Sequence, residues 1–355
     1  MKLLVLSETY PHINSIYQMA YVHSRNIQYK KQGVKIDVLS FSAKSAYKYE
    51  NITVLPSTTY IDFSNYDAVV SHAPNIRNHY RIIRKNLKKI KNLVLFFHGH
   101  EALIIDRYYP APYPWQKQKN AFFSLARKFY DHFKLYLLKN LLKKGNVRAI
   151  YVSQWMKDEA THCMKLSDKI NNKNIIINNS INEAFYKERY SPTLNLLADF
   201  ITIRPLDGPK YAIDKVVELA HFNPEFSFHI YGKGDYFQHN TLPPNVKIFD
   251  QFIEQKSIPV LLNKYRAAIM PTRLDAQGVM MCEMASYGIP TIVSNLPVCR
   301  EMLSEFSNCI FIDNSNFCDT DLNKLSFTPL IDFSVIQKFS PDYLAKKELD
   351  FIFKK

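Results

Sequence analysis

The chain reads as an α/β protein of two domains, the first opening as a doubly wound sheet, and three observations carry that reading. At 355 residues with 47% hydrophobic and 14% aromatic content, it is long enough to bury two separate cores. In the first half, short apolar runs at residues 1–7 and 34–41 flank a helical pattern, as βαβ units on a parallel sheet require. In the second half, strand-like runs at 200–203, 226–231 and 291–293 lead into or out of glycine turns and helix starts.

Taken in order, the apolar run 1–7 predicts the first strand, and a polar, glycine-free loop, Glu8-Thr-Tyr-Pro-His-Ile-Asn-Ser15, follows it. An aromatic-rich helical pattern extends to about Gln32, and Gly33 then separates it from a strand at 34–41. Residues 77–91 place Ile82, Ile83, Leu87 and Ile90 on one helical face and cations on the other. The strand 92–97 ends in His98-Gly99-His100-Glu101, at the end of a strand where open α/β sheets hold ligands. A zinc site there would need a third ligand, and nothing nearby supplies one at the usual spacing. Residues 115–144 alternate Phe122, Phe129, Phe133 and Tyr136 with Lys119, Arg127, Lys128 and Lys139. At the far end, Ser340 is a plausible N-cap with Pro341 at the first helical position.

The richest chemistry lies at residues 271–294, where Asp275 and Glu283 bracket Gly278 ahead of the turn Tyr287-Gly288-Ile289-Pro290. One carboxylate falls on a loop at a helix start and the second about a turn and a half into the helix. The first helical turn offers unsatisfied N–H groups and the positive end of the dipole, which suits an anionic, hydroxylated ligand. Glu283 lies among Met280, Met281, Cys282, Met284 and Ala285, where a carboxylate needs a partner. A ribose diol would serve, and so would an arginine or backbone N–H within the domain.

The segment from Met270 to Pro290 resembles the donor-binding signature of the family 4 glycosyltransferases, retaining enzymes of the GT-B fold. That resemblance implies two Rossmann-like domains facing a central cleft. It implies that Glu283 holds the ribose, that Asp275 lies by the donor sugar, and that the amides after Gly278, at Val279 and Met280, grip sugar and phosphate. The first acid is usually Glu in that family and is Asp here. Phe200-Ile-Thr-Ile-Arg204-Pro-Leu-Asp-Gly208-Pro-Lys210, a strand and turn with a helix expected near Tyr211, is similar to the family's Arg…Lys pair, and two such cations would neutralise a departing diphosphate. The family's usual Gly before that Arg is Ile203 here. Gly232-Lys-Gly234 would let backbone approach a ligand, and the region of Phe252 is where the base usually sits. His98 aligns with a histidine that commonly faces the donor sugar; an acid/base role toward the acceptor and a structural role stay open beside it. The resemblance also reads 174–182 as a hinge, giving domains 1–182 and 183–339 with the helix 340–355 returning to the first.

Charge is divided unevenly. Residues 1–180 hold 28 Lys and Arg against 11 Asp and Glu, whereas residues 181–355 hold 18 against 21. The basic half favours a polyanionic or membrane-surface partner. For any one helix, packing of the apolar face on the sheet is the favoured reading. No helix-turn-helix, zinc-finger, RRM or KH signature accompanies this charge, so nucleic acid is not expected. Five cysteines without a Cys-x-x-Cys pair read as reduced thiols. The expectation is therefore a retaining, metal-independent hexosyl transferase in the cytoplasm, peripheral at the inner face of the cell membrane. It would use a nucleotide sugar, a UDP-sugar by preference, as substrate with no separate cofactor, and a glycan or lipid-linked acceptor. A basic nucleic-acid-binding protein and another GT-B activity such as nucleotide-sugar epimerisation are the alternatives.

Overall fold

The computed structural model describes residues 1–13, 15, 18–117 and 121–354. Of the residues named above, Asn14, Lys119 and the side chain of Phe122 lie outside that description. The chain divides into two compact units, Met1–Ile105 with Phe122–Ser180 and Pro341–Lys355, and Asp106–Ala121 with Ile181–Ser340. The second unit thus takes a segment that the sequence reading left in the first domain. The reason is physical: Tyr113 and Trp115 pack against the second unit's core, and Trp115 stacks on His239 with ring centroids 5.1 Å apart.

In the first unit, the strands are β1 (Lys2–Ser7), β2 (Lys35–Ser40), β3 (Tyr47–Tyr49), β4 (Ile52–Pro56), β5 (Ala68–His72), β6 (Leu93–Phe97), β7 (Val147–Tyr151) and β8 (Ile175–Ile176). They lie in the order β3-β4-β2-β1-β5-β6-β7-β8, parallel throughout except for the β3–β4 pair. β1, β5 and β6 are buried almost end to end because both faces of a parallel sheet are covered by helices. Helix α1 (Ala20–Lys31) follows β1; helix α2 (Ala121–Leu142) precedes β7. The predicted basic helix forms at His79–Asn86, and it buries Ile83 while its cations face outward.

The second unit contains β9 (Ala198–Ile203), β10 (Phe228–Tyr231), β11 (Val246–Phe249), β12 (Tyr265–Met270), β13 (Thr291–Ser294) and β14 (Cys309–Ile312), all parallel. Their order, β11-β10-β9-β12-β13-β14, is the 3-2-1-4-5-6 arrangement of dinucleotide-binding sheets. The strand order reverses between β9 and β12, so the loops after Ile203 and Met270 meet at a switch point. Helix α3 (Val279–Tyr287) starts from the second of these loops. It is apolar nearly all round, and seven of its residues, Met281 to Tyr287, are buried.

The last helix, α4 (Pro341–Phe353), returns to the first unit and puts Leu344, Ala345, Leu349 and Ile352 into its core. No described cysteine is paired with another. Among the described residues, no helix is long and apolar enough to cross a membrane, and no group of His, Cys, Asp and Glu could hold a metal ion.

Candidate active site

The switch point of the second unit brings Arg204 and Asp275 together. Arg204 leaves the end of β9 only 8% exposed, and its Nη2 donates to the carbonyl of Met270 at 3.0 Å. Its Nε has no partner among the described residues. Burial makes the guanidinium easier to deprotonate than usual, and the nearby Asp275 carboxylate works against that. A buried cation with an unused donor is costly, and an anion would relieve the cost.

Asp275 does more local work than the sequence suggested. Its Oδ1 accepts from the amides of Ala276, Gln277 and Gly278 at 2.8, 3.2 and 2.8 Å, which folds the loop ahead of α3. Gly278 then takes φ +74° at the helix start, where no side chain caps the first turn. The amides of Val279 and Met280 therefore keep no intrahelical acceptor, as expected for an anion-holding helix start.

Lys210 sits in a short 3-10 turn, Pro209–Tyr211, and the regular helix begins later than expected, at Ile213. Its carbonyl accepts from the Arg273 amide at 2.8 Å and Thr272 Oγ1 at 3.0 Å, which ties this turn to the loop after β12. The Lys210 ammonium lies 4.6 Å from the centroid of the Tyr211 ring. Beneath it, Arg273 pairs with Asp214, with Nη1 to Oδ1 at 2.8 Å and Nη2 to Oδ2, and Nη1 also reaches Pro209 O at 2.9 Å. Tyr113 Oη donates to the same Asp214 oxygen at 2.9 Å. Sequence reasoning missed this support, although Arg273 stands inside the segment that carried the signal.

Gly232 and Gly234 are also required by packing within the unit. At φ +158° and +150°, a Cβ on them would fall 1.7 Å from Arg204 O and 2.5 Å from the Asp207 amide nitrogen. They let the turn after β10 pass against the Arg204–Asp207 loop of the same unit. Phe252 is 58% exposed, with Lys233 Nζ 5.5 Å from its ring centroid.

Glu283 meets partners inside its own unit. The carboxylate is 1% exposed, and Oε1 accepts from the Asn182 amide at 2.9 Å and Gln255 Nε2 at 2.8 Å. Oε2 accepts nothing among the described residues. Burial pushes the carboxyl up to about 7, and the two hydrogen bonds oppose the shift. The backbone-N–H alternative is thus realised at one oxygen, leaving the other for a hydroxyl.

In the first unit, His98 follows β6 beside its neighbour strand β5. Its Nε2 shares a 3.1 Å hydrogen bond with His72 Nδ1, and its ring stacks near Phe96. Desolvation, then Arg25 and His100, hold His98 well below the usual histidine range, so the ring is neutral at pH 7. Glu101, buried, takes the amides of His98 and Gly99 on Oε1, the latter at 3.0 Å, and fixes the turn. A neutral, anchored imidazole suits a hydrogen bond to a hydroxyl better than proton donation. His72 and Glu101 had no signal in the sequence beyond their spacing from strand ends.

Two comparisons place this arrangement among known proteins. The whole chain superposes on a glycosyltransferase from Rickettsia africae with a TM-score of 0.64 at 14% identity, covering 100% of this chain and 99% of that one. It superposes on a sucrose-phosphate synthase from Thermosynechococcus elongatus with a TM-score of 0.62 at 12% identity, covering 99% and 94%. For WaaG, a glycosyltransferase involved in lipopolysaccharide biosynthesis, the TM-score is 0.61 at 11% identity, with 100% of both chains covered. A sequence search of curated proteins gives no match. The fold is the GT-B fold of these glycosyltransferases. Within it, residues 196–321 match the family model described as Glycosyl transferases group 1.

Proposed function

We propose that this protein is a retaining glycosyltransferase that moves a sugar from a nucleotide-diphosphate donor, a UDP-sugar by preference, to the hydroxyl of a lipid-linked or cell-surface glycan intermediate. The observation that carries the reading is Arg204, a buried guanidinium at the β9/β12 switch point whose Nε lacks a partner. Negative charge develops on the departing diphosphate, and donors already held in place stabilise it without reorganisation. Arg204, Lys210 and the first amides of α3 are such donors, and the chain's own cations supply the countercharge. Glu283 Oε2 accepts from the ribose, while Asp275 holds the loop that presents the helix start. His98 offers a neutral ring to a sugar hydroxyl. The acceptor hydroxyl attacks from the side the diphosphate leaves, so the new glycosidic C–O bond forms as the old one breaks. The proton passes to the leaving diphosphate oxygen. The basic first unit favours an acceptor carried at the cytoplasmic face of a membrane.

Calorimetric titration with UDP, GDP and ADP, beside Arg204→Ala, tests the donor. Saturable binding of one nucleotide that the variant loses supports the reading. Binding of an oligonucleotide instead, with no nucleotide bound, moves it to nucleic acid. The anomeric configuration of the product, read by NMR, tests retention.

A further inference from the structure

The two basic helices of the first unit differ in which face they show. In His79–Asn86 the apolar face is covered and the cations are outward. In α2 the pattern is reversed. Leu135, Leu138, Leu141 and Leu142 are buried, whereas Leu125, Phe129, Phe133 and Tyr136 are 54%, 70%, 56% and 60% exposed. At about 100° per residue, those four side chains fall within about 80° of one another, on the side opposite the buried leucines. Lys128 and Lys139 flank this stripe along one edge.

The orientation is fixed from beneath. Asp131 and Lys134 form a buried ion pair at 2.9 Å. Lys134 Nζ also donates to the carbonyls of His100 and Leu103 at 2.9 and 3.1 Å, and Asp131 Oδ2 accepts from the Ile105 amide at 2.8 Å. Rolling the helix to hide its aromatics would break all of these contacts inside the protein. Exposed aromatic rings in a row are uncommon on a soluble surface and mark an interaction face. A row bordered by Lys128 and Lys139, within a stretch, residues 1–180, that carries an excess of 17 positive charges, is complementary to a surface that is apolar inside and anionic at its edge.

We propose that the Leu125–Phe129–Phe133–Tyr136 face of α2 seats this protein on an anionic lipid leaflet, with the rings entering the acyl boundary and Lys128 and Lys139 meeting headgroup phosphates. This goes beyond the transfer reading, since it assigns a docking surface whose test needs no donor or acceptor. The test is co-sedimentation of the full chain with vesicles of equimolar phosphatidylglycerol and phosphatidylcholine, and with phosphatidylcholine alone. Expected are binding to the anionic vesicles, weakening with added salt, and a loss of about tenfold or more in Phe129→Ser/Phe133→Ser. A Phe133→Trp variant should gain emission quenched by brominated acyl chains relative to the parent chain. Absence of binding by the parent chain, equal binding by the double variant, or an unquenched Trp at position 133 overturns the proposal. So does a dimer in solution that the double variant converts to monomer, which would make the face a contact between copies.

Discussion

Arg25 of α1 and Glu348 of α4 form a buried ion pair across almost the whole length of the chain. Arg25 Nε donates to both carboxylate oxygens, at 2.8 and 3.0 Å, and the two side chains are 5% and 2% exposed. Tyr29 Oη donates to Glu348 Oε2, and Arg25 Nη2 donates to Asn179 Oδ1 at 2.9 Å. Removing one partner leaves the other charge buried and unpaired, which costs about 3–5 kcal/mol. Glu348→Ala should therefore lower stability by about that amount in urea unfolding. The double variant Arg25→Met/Glu348→Leu should cost less than the sum of its single changes.

Glu283 makes stability depend on pH. Its folded-state pKa is raised from 4.5 to about 7, so between those values the folded form keeps a proton that the unfolded chain has released. Stability from this group is full below about 4.5 and is lost as pH rises through about 7, on the order of 3 kcal/mol in all. Glu283→Gln should flatten the stability–pH curve across that window, which thermal melts at a series of pH values would read. Glu283→Ala should mainly weaken nucleotide binding.

Arg204→Ala should lower kcat by about 100-fold to 1000-fold, the usual effect of losing one oriented donor to developing charge. Asp275→Ala removes the acceptor for three loop amides, so it should slow transfer with a smaller effect on nucleotide affinity. Steady-state kinetics and calorimetry on the same two variants would separate these outcomes.

The glycines give a sharper contrast. Gly232→Ala puts a methyl 1.7 Å from Arg204 O, so the loop must move, at about 1–3 kcal/mol or more. Gly33→Ala has φ +82° but open space around it, so it should cost only about 1–2 kcal/mol. The Gly232 variant alone should also lose donor affinity, since it displaces Arg204.

Much of this architecture was legible in the chain because it is local. The runs at 1–7 and 92–97 marked β1 and β6 through the burial of both sheet faces, and Gly278 marked the start of α3 through its backbone angle. The Arg204 loop was readable because it follows a strand, and the Asp275 loop because its carboxylate, Gly278 and Glu283 are spaced about a helix start. The rest depends on contacts that spacing does not encode. Nothing in the local sequence pairs Arg25 with Glu348, or sends Tyr113 to Asp214 of the second unit. The alternation of aromatics and cations in α2 fits a covered helix as well as an exposed one. Only the Asp131–Lys134 pair, buried under it, decides which side faces outward. Gly232, read in the sequence as a place for backbone to approach a ligand, also clears a neighbouring carbonyl, two uses of a missing Cβ that a Gly-x-Gly pattern does not distinguish.

The return of α4 has a consequence for the order in which the protein is made. On a ribosome, α1 and the first sheet emerge early, yet the carboxylate that neutralises Arg25 arrives only after the second unit has been synthesised. Nascent chains generally fold from the front. Here the first unit is completed only after the second has been made, and until Pro341–Phe353 docks it presents a guanidinium without its carboxylate and an uncovered patch over Val22 and Tyr29. A chaperone that binds such patches would find its target in the newborn chain and lose it once that helix docks.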